Sequence, residues 1–130
     1  MKKPFNDVKN GPTASAQYSL AILAEGRYLF VTGQGPFNPA TGKKDRGTIQ
    51  RQTELTLNNL KAVIEAAGGR IEDTVSCRMY LQPLTHETFA AMNEVYGKFW
   101  GPVPPTRTTI GCQLLDMDVE ADCVVRMDAL

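Results

Sequence analysis

The sequence predicts an α+β domain in which two helices cover one face of a mixed β-sheet, and three patterns carry that prediction. Apolar residues recur at three- and four-residue spacing over Thr48–Ala67 and again from Phe89 to Phe99, the spacing of one helical face. Apolar and polar residues alternate over Thr74–Gln82, Thr106–Leu115 and Val119–Met127, as in strands with one buried face. Each helix has a single apolar stripe, so each needs a flat partner, and the alternating strands supply it.

Taken in order, residues 1–17 are polar and turn-rich, and regular structure is expected from Tyr18 onward. Tyr18–Ala24 and Arg27–Thr32 are short β-prone runs separated by Glu25-Gly26, a composition that suits a hairpin turn. Gly33-Gln34-Gly35-Pro36 stops the second run, and Asn38-Pro39 with Thr41-Gly42 continues as loop. The first helix places Ile49, Thr53, Leu57, Leu60, Ile64 and Ala67 on one side; Gly68-Gly69 ends it. In Thr74–Gln82 the apolar face is Val75, Cys77, Met79 and Leu81, and Pro83 closes the strand. Thr85 is suited to cap the second helix, whose stripe is Phe89, Met92, Tyr96 and Phe99; Gly101-Pro102 stops it, and Pro104-Pro105 holds the next segment extended. In the last two strands Ile110, Cys112 and Leu114, then Val119, Ala121, Cys123, Val125 and Met127, are expected to face the helices, leaving Arg107 and Glu120 on the opposite face. The predicted order is ββαβαββ in one domain spanning residues 1–130.

Composition narrows the function. The 130 residues hold 14 Lys+Arg against 14 Asp+Glu, and a neutral domain lacks the basic surplus that supplies affinity for nucleic acid. There is no apolar run of some 18 residues to span a membrane and no signal-peptide core behind Met1-Lys2-Lys3, so the cytosol is the expected compartment. Cys77, Cys112 and Cys123 form no Cys-x-x-Cys pair and read as buried small hydrophobes of a reduced compartment. His86 is the only histidine, at a helix start, so a zinc site or a Ser-His-Asp triad lacks its parts. Gly33-Gln34-Gly35 is followed by Pro36 and opens no helix, unlike a dinucleotide fingerprint.

Arg107 and Glu120 are the pair with chemical potential. Pro104-Pro105 fixes the approach to Arg107, and small Thr109 and Gly111 follow on the same strand face, leaving room for a ligand. A guanidinium there suits a carboxylate, which it grips with two parallel hydrogen bonds. If the last two strands form a hairpin about Asp116-Met117, Gln113 faces Glu120 and Arg107 faces Arg126. Arg107 and Glu120 are then roughly 20 Å apart and meet only across a subunit boundary.

Four segments carry a resemblance. Val31-Thr32-Gly33-Gln34-Gly35-Pro36-Phe37-Asn38-Pro39, Asn58–Gly68, Asn93-Glu94-Val95-Tyr96, and Pro104-Pro105-Thr106-Arg107-Thr108-Thr109 with Val119-Glu120-Ala121 resemble the Rid family. These are the reactive intermediate deaminases, also called YjgF-like proteins or L-PSP endoribonucleases. The resemblance implies a chorismate-mutase-like fold, a homotrimer with ligand clefts between subunits, and no organic cofactor or metal. It implies hydrolysis of a 2-aminoacrylate-type enamine or imine to a 2-oxo acid and ammonia. Arg107 would bind the substrate carboxylate, and Glu120 would orient or deprotonate water. Tyr18, Thr32, Gly33, Asn93 and Thr109 would line the cleft. Thr109 stands where the best-known branch carries Cys, and Thr32 where it carries Ser. A deaminase of another enamine such as 2-aminomuconate, and a non-catalytic trimer binding small carboxylates, are the alternatives; RNA cleavage fits the neutral charge poorly.

Overall fold

The computed structural model describes residues 2–128. Four strands form a mixed sheet: β3 (Arg27–Gln34), β4 (Thr74–Leu81), β5 (Thr106–Gly111) and β6 (Val119–Met127), in spatial order β3-β6-β4-β5. β6 runs antiparallel to both neighbours, and β5 runs parallel to β4. Helices α1 (Ile49–Ala66) and α2 (His86–Phe99) cover one face. Thr48 caps α1 by accepting a hydrogen bond from the Arg51 backbone N–H, while Thr85 and Thr88 form a reciprocal capping box on α2. At the far end of α1, Gly68 takes φ +86, a conformation only glycine enters freely, and the chain turns away.

The core lies between sheet and helices. Leu57, Leu60 and Ile64 of α1 and Met92 and Tyr96 of α2 meet Val31, Cys77, Met79, Leu81, Val119, Ala121, Cys123 and Val125. Truncating one of these, for example Leu60→Ala, costs about 2–5 kcal/mol from lost transfer energy and an unfilled cavity. The opposite face is open: Phe30 is 77% exposed there, beside Tyr28, Val124 and the Arg78–Asp122 ion pair. Among the described residues no helix is long and apolar enough to cross a membrane.

The α+β class and both helices match expectation, but three details of strand order do not. Lys2–Phe5, expected to be irregular, forms β1, so the order becomes βββαβαββ. The Lys2 ammonium donates to the backbone carbonyls of Thr74 and Val103 (both 2.8 Å), an anchor that composition does not reveal. The hairpin about Glu25-Gly26 is not formed: β2 (Ala21–Ala24) pairs with β1 in a separate two-stranded sheet, and β3 pairs with β6.

The third correction matters most. β5 and β6 are not a hairpin, because β4 lies between them. Residues 112–118 carry the chain over the end of β4, and Gln82 fastens them there. Its carboxamide accepts from the Leu114 N–H (2.6 Å), and its backbone N–H donates to the Asp118 carbonyl (2.9 Å). The buried Gln52 side chain of α1 repeats the device, donating to the Asp118 carboxylate and accepting from the Asp118 N–H. Two glutamines therefore satisfy the backbone of the loop that crosses from β5 to β6.

Candidate functional site

β5 takes its facing from β4, and this turns Arg107 over. Arg107 is registered beside Cys77, Thr109 beside Met79 and Gly111 beside Leu81, so all three share the helix-covered face. The expectation that Arg107 faces away from the helices, with Ile110 toward them, is reversed. Cys112 and Leu114, also expected to face the helices, lie beyond the end of β5 in the connecting loop, both half-buried.

The half-buried Arg107 guanidinium reaches under α2. Its Nη1 donates to the Asn93 side-chain oxygen at 2.7 Å. Its Cζ lies 4.6 Å from the Tyr96 ring centroid, 5.3 Å from Phe89 and 5.4 Å from Tyr18. Three rings thus hold the cation by their faces. Burial lowers its pKa, with the surrounding phenols and Cys77 acting the other way, yet an arginine stays charged under any such shift. Among the described residues no carboxylate lies within ion-pair distance of it. A partly desolvated cation whose side-chain partners, the Asn93 amide and the Met92 sulfur at 3.8 Å, are both neutral favours an anionic ligand strongly.

The loop before β2 supplies Tyr18. The Ser19 hydroxyl donates to the Pro104 carbonyl and the Ser19 N–H to the Pro105 carbonyl, tying the residue after Tyr18 to the segment that leads into Arg107. Bonds from Ser15 and, less strongly, the charge of Arg107 lower the Tyr18 pKa. Thr109 contributes a buried hydroxyl with no partner among the described residues.

Glu120 sits elsewhere. It is registered beside Tyr80 on β4, on the open face, where Phe30 and Asp122 also project. Gly33 lies against it: a Cβ at that position would stand 3.0 Å from the Glu120 carboxyl carbon, so glycine leaves the space the carboxylate occupies. Thr32 and Gly33 form an irregular step in β3, between Val31 opposite Cys123 and Gln34 opposite Ala121. Asn59 of α1 secures the following loop by donating to the Gly35 and Phe37 carbonyls at 3.0 and 2.9 Å. Next to Glu120, Asp122 accepts two bonds from Arg78 (2.9 and 3.0 Å) and one from the Tyr80 hydroxyl (2.8 Å).

The predicted residues therefore assemble as two groups. Arg107, Asn93, Tyr18 and Thr109 gather on the helix side of the edge strand; Glu120, Gly33 and Thr32 gather on the other side. Arg107 and Glu120 are three residues apart along β4 and two strands apart across it, roughly 14 Å between backbones, in place of the 20 Å that a hairpin implies. They also face opposite ways, so one chain does not bring them together. Phe89 and Tyr96 were expected only as core; their role around the cation depends on the reversed facing of β5 and has no signal in the helical periodicity. His86 is exposed at the start of α2.

A family model described as "Endoribonuclease L-PSP" matches residues 8–127. A RutC family protein of Pyrococcus horikoshii is 40% identical over 111 residues, covering 85% of this chain and 86% of the relative. Protein mmf2, mitochondrial, of Schizosaccharomyces pombe is 32% identical over 128 residues, covering 95% and 96%. Among solved structures, the Rid-family protein YyfB of Yersinia pestis superposes with a TM-score of 0.86 at 27% identity, covering 97% of this chain and 98% of that one.

Proposed function

The chain belongs to the endoribonuclease L-PSP family, the Rid or YjgF-like proteins, and on that premise we propose that it is an imine/enamine deaminase acting on small 2-imino acids at clefts between the subunits of a homotrimer. The observation that carries this reading is Arg107: a half-buried guanidinium ringed by aromatic faces, aimed by Asn93 and lacking a carboxylate partner among the described residues. Its open N–H groups suit a substrate carboxylate.

The reaction needs no group beyond water and a proton carrier. With the carboxylate on Arg107, the imine carbon of 2-iminopropanoate lies one bond further along the substrate. Glu120 of a neighbouring subunit takes a proton from water as its oxygen adds to that carbon, and passes the proton to the nitrogen. The new hydroxyl then gives up its proton to Glu120, which returns it to the amino nitrogen as the carbon–nitrogen bond breaks, so ammonia leaves and the carbonyl of the 2-oxo acid forms. Tyr18, with its lowered pKa, and Thr109 supply hydroxyls near the reacting carbon, while Thr32 and Gly33 belong to the same chain as Glu120 and enter the cleft with it. Fixing acid, water and base together is the main source of rate. The cytosol remains the expected compartment, with a mitochondrial setting raised by the name of the fission-yeast relative.

The direct test is release of ammonia and 2-oxo acid from freshly generated 2-iminopropanoate and, separately, 2-aminomuconate. Acceleration over the free reaction that Arg107→Ala abolishes supports the proposal. Carboxylate binding without turnover of either compound leaves a binding protein instead.

A further inference from the structure

We propose that Ser15 is a positioning residue for the anion site at Arg107: it holds the Tyr18 phenol so that the phenol's own proton is left for an oxygen of the bound acid. The inference rests on Arg107 being the carboxylate anchor. Ser15 is exposed, three residues before Tyr18 in the loop that precedes β2. Its backbone N–H donates to the Tyr18 hydroxyl oxygen at 3.1 Å, and its own hydroxyl lies 3.2 Å from the same oxygen. Tyr18 is half-buried, with its ring centroid 5.4 Å from the Arg107 Cζ.

A hydroxyl has one proton to give and two lone pairs to fill. The Ser15 N–H fills one lone pair of the phenol and has no other role to take. The Ser15 hydroxyl has two. Without a ligand it accepts the phenol proton, the more acidic of the two. With an acid on Arg107, the phenol proton turns to the acid oxygen and the Ser15 hydroxyl rotates to donate into the second lone pair. Tyr18 then has nothing left to do but donate. Ser15, Tyr18 and the acid form a chain in which each hydrogen bond polarises the next, and every proton stays on its own oxygen.

The backbone around the pair is held in place. Ser19 is tied by its N–H and its hydroxyl to the Pro105 and Pro104 carbonyls. Gln17 rests on α2 where Gly97 leaves room, since a Cβ at Gly97 would stand 3.6 Å from the Gln17 Cβ. The Tyr18 phenol is lowered in pKa by Ser15 first and by the Arg107 charge last, against the opposing effect of burial. Arg107 is the charged group that faces it, so an acid bound there acts on the same phenol.

Tyrosine titration of the full chain, followed by phenolate absorbance, tests the link without a ligand. The step that Tyr18→Phe removes is expected to move to higher pH in Ser15→Ala and to return in Ser15→Thr. Pyruvate is expected to move the same step upward in wild type, because the acid offsets the Arg107 charge and accepts from the phenol. Calorimetric titration with pyruvate is expected to show binding about 5-fold weaker in Ser15→Ala and about 10-fold weaker in Tyr18→Phe, with Ser15→Thr restoring it. A Tyr18 step that Ser15→Ala leaves in place, or equal pyruvate affinity in wild type and Ser15→Ala, overturns the role of Ser15 while leaving Arg107 as the anchor. Failure of pyruvate to bind wild type, or binding that survives Arg107→Ala, overturns the anchor and the role of Ser15 with it.

Discussion

The two faces of one small sheet differ in how they handle charge. On the helix side Arg107 is drawn among Tyr18, Phe89 and Tyr96 with Asn93 as its polar side-chain partner, and the neighbouring Cys77 and Cys123 thiols are pushed upward in pKa by burial. On the open side Arg78 and Asp122 neutralise one another, Tyr80 adds a bond, and Glu120 stands beside Gly33. An uncompensated cation on a dry face and paired charges on a face still open to a partner are opposite solutions. The first favours an anionic ligand. The second already pairs its central charges, so covering it with another copy of the chain leaves fewer of them to neutralise.

Removing one group from each face sharpens that contrast. Glu120→Gln keeps shape and loses basicity, and is expected to lower turnover of 2-iminopropanoate by about 10³-fold while 2-oxo acid binding persists. Loss of binding in parallel would place Glu120 in the anchor instead. Arg107→Lys keeps the charge but gives up the planar fork, and is expected to weaken 2-oxo acid binding by about 30-fold. Unchanged affinity would show that charge alone recruits the acid. Gly33→Ala sets a methyl 3.0 Å from the Glu120 carboxyl carbon. It should cost about 10-fold in kcat with little change in KM, and a rise in KM alone would detach Gly33 from Glu120.

The smallest expected effect reports how dry the helix face is. The Cys123 thiol is raised from 9.0 to about 12 by burial first and by the Asp122 charge second. Below about pH 9 both folded and unfolded chains hold this proton. Above it the unfolded chain releases the proton while the folded chain keeps it, so stability falls as pH rises toward 12. Between pH 8 and pH 10 the loss from this thiol is about 1 kcal/mol, and urea unfolding of wild type against Cys123→Ala should show that much less pH dependence in the variant. Identical slopes would mean that water reaches the thiol.

Much of this arrangement is legible in the sequence. Leu57, Leu60 and Ile64 announce a helix on a sheet, and Gly68 its end, because these signals are local. Val119 to Val125 face inward as alternation requires. The facing of β5 is not legible, because Thr106–Gly111 mixes small polar residues with one isoleucine and β4 dictates its orientation through a parallel pairing. Nothing local records that pairing; the glutamines that fasten the crossing loop, Gln52 and Gln82, are 66 and 32 residues from the loop atoms they bind. Alternation alone puts Arg107 on the face away from the helices, and the register with Cys77 turns it toward them. That Arg107 and Glu120 do not meet within one chain holds on the observed topology, for a different reason: they face opposite ways.

The central claim is that a complete site forms only between chains, and subunit mixing tests it. Arg107→Ala and Glu120→Ala chains, each inactive alone, are unfolded, combined in equal amounts and refolded together. Random assortment into cyclic trimers makes three-quarters of them mixed, each with one intact cleft of three, so deaminase activity should recover to about a quarter of wild type. Mixed trimers that form and show no activity would contradict the account.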